Sequence, residues 1–195
     1  MTLGHWLKVY ERMLYIALLH YPVLNKDGKV VTTSIANMDI HDIARLSRTY
    51  GVQNYFVVNP LSAQREMAYA IIDHWRQGYG AVFNPSRRKA FELVMVKASL
   101  DEVQAEITEQ TGCLPQVIVT GANFKDNLLT CDDLKKKIRN DNLPYLLIFG
   151  TGSGIADEIV DRADYRLEPI KGIGDYNHLA VRSAAAIIID RIMRD

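Results

Sequence analysis

The sequence predicts an α/β protein with a mainly parallel sheet flanked by helices. Three observations carry that expectation. Apolar runs of strand length alternate along the chain with segments whose apolar residues recur at helical spacing. The strand-like runs, 13–19 and 145–149 above all, contain no polar alternate, as strands buried on both faces do not. No repeat, low-complexity linker or change of composition divides the chain. Its 195 residues, 48% hydrophobic and 24% charged, therefore read as a single domain, 1–195, large enough to bury a core.

Taken in order, residues 13–19 form the first strand, and Asn25, Lys26, Asp27 and Gly28 form a polar turn. A helix starts at about Asp39, because Ile40, Ile43, Ala44, Leu46 and Tyr50 share a face, and Gly51 stops it. Residues 55–58 are the second strand, closed by Asn59 and Pro60. Ser62 caps the next helix, which turns Met67, Ala70, Ile71 and Trp75 inward and stops near Gly78. Residues 85–89, Pro-Ser-Arg-Arg-Lys, read as an irregular, positively charged mobile loop. A third strand follows at 91–96. Ser99 with Glu102 makes a capping box, and the helix it opens ends at Gly112. Residues 116–120 are the fourth strand. Thr130 caps a helix that Asn140 and Pro144 close, 145–149 are the fifth strand, and a short sixth lies around Tyr165. An alanine-rich helix runs from about His178 to Met193.

The formal net charge is zero, which argues against a protein that coats polyanions wholesale and leaves a local basic patch open. The two cysteines, Cys113 and Cys131, have no CxxC partner, so no metal site is expected and a reduced compartment fits. Residues 1–10 lack a signal-peptide layout, and no apolar run approaches the roughly 20 residues that span a bilayer. A cytoplasmic protein without membrane contact is the expectation.

Chemistry concentrates near the end of the chain. The strand at 145–149 runs into Gly150-Thr151-Gly152-Ser153-Gly154, and a second glycine loop, Gly172-Ile173-Gly174, precedes Asp175-Tyr176-Asn177-His178. Glycine lets backbone N–H and C=O groups approach a ligand with no Cβ between them. The first loop has no Gly-Lys-Ser/Thr ending, so it is no P-loop, and it follows the fifth strand rather than the first, unlike a dinucleotide fingerprint. The plainer reading is a turn joining strand to helix; with Gly121 and Gly172 at the ends of other strands, a ligand pocket is the stronger one. Asp175 or Asn177 is positioned to cap the last helix. His178 is either a structural histidine or a proton-transfer group. Arg45 and Arg48 share a helix face, either solvated or facing a phosphate. Arg87, Arg88 and Lys89 form a weak candidate for an RNA backbone contact, whereas the run from Lys135 to Arg139 is balanced by Asp132, Asp133 and Asp141.

These residues resemble the SPOUT superfamily of S-adenosylmethionine-dependent RNA methyltransferases, in particular its small stand-alone bacterial members. Asp39, Arg45 and Gly51 fall at the spacing of that superfamily's first motif, with aspartate where asparagine is usual; 147–155 is similar to its second and 170–188 to its third. The third motif shows His178-Leu179-Ala180 in place of the Ser-Leu-Asn of 2′-O-methylating members. The resemblance implies a C-terminal deep trefoil knot, a homodimer, and a tRNA or rRNA substrate. It implies S-adenosylmethionine held by three loops: Thr120 and Gly121; Phe149, Gly150, Thr151, Gly152, Gly154 and Ile155; and Ile170, Gly172, Tyr176, Asn177 and Leu179. Arg45 would hold RNA phosphate or orient the acceptor, and Asp175 or His178 would take the proton. Two rivals stand beside this reading. One is a non-catalytic module that binds S-adenosylmethionine. The other is a Rossmann-type nicotinamide oxidoreductase, which Asn25-Lys26-Asp27-Gly28 after the first strand does not suit.

Overall fold

A computed structural model describes residues 13–174 and 176–194. The first strand, β1 (Leu14–Leu19), is followed by a small antiparallel hairpin, β2 (Val23–Leu24) and β3 (Val30–Val31), and then by α1 (Asn37–Thr49) and β4 (Tyr55–Val58). Next come α2 (Ser62–Arg76), α3 (Tyr79–Phe83), α4 (Pro85–Phe91) and β5 (Val94–Lys97). The second half runs α5 (Leu100–Thr111), β6 (Gln116–Val119), β7 (Leu128–Leu129), α6 (Cys131–Asn140), β8 (Tyr145–Gly150), α7 (Asp157–Val160), β9 (Tyr165–Leu167) and α8 (Val181–Met193). Among the described residues seven strands form one sheet in the order β5-β4-β1-β8-β6-β9-β7, and every pairing there is parallel. Among the described residues no helix is long and apolar enough to cross a membrane.

The unbroken apolar strands serve two cores at once, because successive side chains of a strand point to opposite faces. Leu14, Ile16 and Leu18 of β1, with Tyr145, Leu147 and Phe149 of β8, pack beneath residues of α1, α2, α4, α6 and α8. Tyr15, Ala17 and Leu19, with Leu146 and Ile148, pack against Val103 and Ile107 of α5 and Ile159 and Val160 of α7. Two caps follow the sequence reading closely. The Ser99 hydroxyl accepts from the Glu102 N–H at 3.2 Å, and the Glu102 carboxylate accepts in return from the Ala98 N–H at 2.8 Å. The Thr130 hydroxyl likewise accepts from the Asp133 N–H at 3.1 Å.

Elsewhere the structure corrects the sequence reading. In α2 the buried residues are Ala68 and Ile72, with Ile71 and Trp75 half-buried. Met67 and Ala70 are exposed, and Ser62 is the first helical residue rather than the cap. The inner stripe sits one residue further round than the apolar spacing suggests. Residues 85–89 are not a loop: the Asn84 side chain accepts from the Arg87 N–H at 3.0 Å, Pro85 occupies the first turn, and α4 follows. Phe91 therefore ends a helix, and β5 begins at Val94. The last helix starts at Val181 with Ala180 before it and no side-chain cap, so Asn177 does not cap it and His178 lies in the preceding loop. Asp175, the other proposed cap, is outside the described residues. The short elements β2, β3, α3, β7 and α7 have no counterpart in the sequence reading.

Two substitutions test this account of stability. Leu147→Ala, at a fully buried position of β8, is expected to cost about 2–5 kcal/mol. Gly112, at φ 74°, has nothing within 4 Å of an added Cβ, so Gly112→Ala carries only the left-handed backbone penalty of about 1–2 kcal/mol. Urea unfolding with an unchanged m-value for both variants is the measurement.

Candidate functional site

The parallel register of the two central strands sets the site. Leu19 and Gly150 are partners at the ends of β1 and β8. One residue on, Thr151 donates both its N–H and its hydroxyl to the Leu19 carbonyl, at 3.2 and 3.1 Å. The loop then folds against the hairpin: the Ser153 N–H donates to the Leu24 carbonyl and the Leu24 N–H to the Gly154 carbonyl, each at 2.8 Å. This closeness explains two of the glycines. A Cβ on Gly150 would lie 2.6 Å from Ile155 Cγ1, and one on Gly152, at φ 62°, would lie 2.6 Å from the Leu24 carbonyl oxygen. Thr33 completes the floor. Its N–H donates to the His20 carbonyl at 2.9 Å, and its hydroxyl pairs with that of Thr151.

A cavity of about 690 Å³ opens above this floor, between residues 120–123 after β6, 149–154, 168–170 after β9, and the approach to α8. It lies outside the carboxyl ends of the strands. There the chain order reverses, because β4 and β5 lie on one side of β1 while β8 and β6 lie on the other. Open α/β sheets bind ligands at that crevice, and the size falls in the range of about 300–1,000 Å³ usual for small-molecule sites.

The lining is mixed. Phe149, Ile170, Leu179 and Ile188 are apolar; Thr33, Ser34, Thr120, Asn123 and Asn177 supply hydroxyl and amide groups; Asp39, Glu168 and Arg182 supply charge. Arg182, in the first turn of α8, reaches back to α1: its Nη1 lies 3.2 Å from Asp39 Oδ1 and its Nε 3.6 Å from Asp42 Oδ2. Glu168 Oε1 accepts from the Cys131 N–H at 2.8 Å. Burial, with the Glu168 carboxylate adding to it, pushes the Cys131 thiol up to about 11, so it stays protonated near neutrality and is no nucleophile. His20, fully buried at the end of β1, donates from Nδ1 to the Val58 carbonyl at 3.2 Å, and burial holds its imidazole below the ordinary value. Among the described residues no group of three His, Cys, Asp or Glu side chains is placed to hold a metal.

Of the residues singled out from sequence, Thr120, Gly121, Phe149, Gly150, Thr151, Gly152, Gly154, Ile170, Asn177, His178 and Leu179 come together around this cavity. Ile155 stands behind the loop, 6% exposed, filling the space that a side chain at position 150 would need. Gly172 and Tyr176 lie on the exposed loop and are not among the lining residues. Arg45 and Arg48 are exposed on α1, also away from the lining, and Asp175 is outside the described residues. Sequence reasoning missed Thr33, Ser34, Glu168 and Arg182. The available signals were a polar Thr32-Thr33-Ser34 run just ahead of α1 and an arginine in the first turn of a largely apolar helix.

A profile of a family of SAM-dependent RNA methyltransferases matches residues 13–194. The chain belongs to that family. It is 41% identical over 188 residues to an uncharacterized protein of Aquifex aeolicus (strain VF5), covering 96% of this chain and 91% of that one. It is also 41% identical over 184 residues to a tRNA (guanine-N(1)-)-methyltransferase of Oleidesulfovibrio alaskensis, covering 94% of this chain but 43% of that protein. The chain thus spans less than half the length of this relative. Among solved structures, the fold matches the SpoU methyltransferase AviRb from Streptomyces viridochromogenes in complex with AdoMet, with a TM-score of 0.61 at 17% identity over 95% of this chain and 58% of that one. The sheet and its flanking helices therefore share the fold of that SpoU methyltransferase.

The Asp39–Arg182 contact makes a testable link between α1 and α8. Arg182→Ala leaves the Asp39 carboxylate, 7% exposed, without that partner and is expected to cost about 1–3 kcal/mol in urea unfolding. Adding Asp39→Asn should cost less than the sum of the two single changes.

Proposed function

We propose that this chain transfers a methyl group from S-adenosylmethionine to a nucleotide of a tRNA or rRNA, and that it does so as a single-domain cytoplasmic homodimer. The observation that carries the reading is the cavity at the chain-order reversal, lined by the glycine loop and the pre-helix loop whose sequences resemble the superfamily's second and third motifs. Its walls suit the cofactor. Phe149, Ile170 and Leu179 would offer apolar surface for a purine, Thr120, Thr151 and Asn177 polar groups for a ribose, and Glu168 a negative charge for a sulfonium, the Asp39 charge being taken up by Arg182. Bound there, the cofactor supplies an electrophilic methyl group.

The protein's own tasks are alignment and proton removal. His178, on the cavity wall, would accept the proton of an N–H or O–H acceptor, with Asp175 the other candidate. Arg45, exposed on α1, would meet RNA phosphate or orient the acceptor. A deep trefoil threading belongs to the same reading. It is supported by the sequence resemblance that implies it and by the likeness of the fold to SpoU methyltransferase structures. The tRNA methyltransferase relatives favour tRNA over rRNA. Their guanine-N1 chemistry is not carried over, since this chain matches only 43% of their length.

Incubating the protein with radiolabelled S-adenosylmethionine and RNA from cells lacking the gene should label a single nucleoside. Cofactor binding without any labelled RNA would overturn the enzyme reading in favour of a non-catalytic binding module. Gly152→Ala, which drives a Cβ against the Leu24 carbonyl, should weaken binding of the cofactor product by about tenfold or more in calorimetry. His178→Ala should lower the transfer rate about 10²-fold or more while leaving cofactor affinity within a few-fold.

A further inference from the structure

Helix α3 has its apolar pattern inside out. Its buried residues are Gly80 and Ala81, while Tyr79, Val82 and Phe83 are 74%, 80% and 71% exposed. The small residues are needed where they are. A Cβ on Gly80 would come within 2.7 Å of the Trp75 ring and 2.9 Å of the His74 ring, so α3 lies directly on the end of α2. That seating turns the large residues outward. Positions 79, 82 and 83 share one side of the helix turn, and the Tyr79 and Phe83 rings stack with centroids 6.0 Å apart at 23°. An element that buries glycine and alanine and displays two aromatic rings gains nothing for the core.

The sequence through these rings is mainly basic, with Asp73 and Glu92 at its two ends. Between Asp73 and Glu92 the sequence holds Arg76, Arg87, Arg88 and Lys89 and no acidic residue, in a chain whose formal net charge is zero. Arg87 is committed to the fold, its guanidinium 4.5 Å over the Trp75 ring. Arg88 and Lys89 are exposed on α4, Arg88 with only a 3.9 Å contact to Glu92, and Arg76 is exposed at the end of α2. Paired exposed rings beside exposed cations are the two components of a surface for unpaired nucleic acid: every base has a face to stack, and every nucleotide has a phosphate to neutralise.

We infer that α3 and the head of α4 form a docking surface for a single-stranded segment of the substrate RNA. Tyr79 and Phe83 stack on unpaired bases, and Arg76, Arg88 and Lys89 meet the adjoining phosphates. The inference rests on the RNA-methyltransferase reading above and adds to it where the RNA is gripped. The charge pattern favours this occupant over a second copy of the chain, whose face here would repel its own basic cluster.

The test is direct binding of unmodified tRNA by fluorescence anisotropy, with no methyl transfer required. Tyr79→Ala/Phe83→Ala should weaken binding about tenfold or more, with cofactor affinity, thermal melting and sedimentation unchanged. Val82→Ala, which removes exposed apolar surface but no ring, should change affinity less than about threefold. Arg88→Gln/Lys89→Gln should flatten the dependence of log affinity on log salt by about 0.7 for each phosphate no longer neutralised. Unchanged RNA affinity in the ring variant overturns the inference while leaving the methyltransferase reading intact. Wild-type protein that binds no RNA overturns it as well. A ring variant that turns a wild-type dimer into a monomer also overturns it, and assigns the patch to contact between copies. Wild-type protein that binds RNA through these residues yet labels none sinks the methyl-transfer reading and keeps the surface.

Discussion

Six residues of β1 lie in parallel register with six of β8, and the rest of the molecule is arranged around that seam. Where the two strands end, the Leu19 carbonyl takes both the N–H and the hydroxyl of Thr151. This fixes the direction in which the glycine loop departs. The hairpin is brought under the loop by the paired bonds between Leu24 and residues 153 and 154. The cavity floor is thus backbone held by backbone, with Gly150 and Gly152 the positions where close approach leaves no room for a side chain. Such a floor is preorganised, its polar groups held largely by backbone bonds with the Thr33 and Thr151 hydroxyls tied in beside them.

The walls depend on contacts between segments far apart in sequence. Asp39 lies in the first turn of α1 and Arg182 in the first turn of α8, and their contact ties two helices more than 130 residues apart in the chain. Tyr50, just past the other end of α1, donates its hydroxyl to Asp190 at 2.8 Å, so the two helices are pinned at both ends. Between these polar ties Ile40, Ile43, Ile188 and Ile189 belong to the same core. Packing supplies the bulk of the cohesion here, and the polar ties set the register of one helix against the other.

Much of this is legible in the sequence, for physical reasons. Continuous apolar runs such as 145–149 mark strands covered on both faces, and Ser99 with Glu102 or Thr130 with Asp133 marks a helix start, because these are local chemistry. The glycine loop is legible for the same reason. What cannot be read is set by partners distant in the chain. Nothing near Thr33 announces Thr151, and nothing near Arg182 announces Asp39. The phase of α2 misleads because Met67 is apolar yet faces solvent, and residues 85–89 mislead because the capping asparagine at 84 lies just before the Pro-Ser-Arg-Arg-Lys run.

The strand order also has a consequence for synthesis on the ribosome. β1 can acquire β4 on one side early, since only residues 20–54 separate them, but its other neighbour, β8, begins at residue 145. While everything in between is being translated, one flank of a wholly apolar strand presents unpaired amides and carbonyls to any passing chain. The strand that organises the finished molecule is therefore the one whose second partner emerges longest after it.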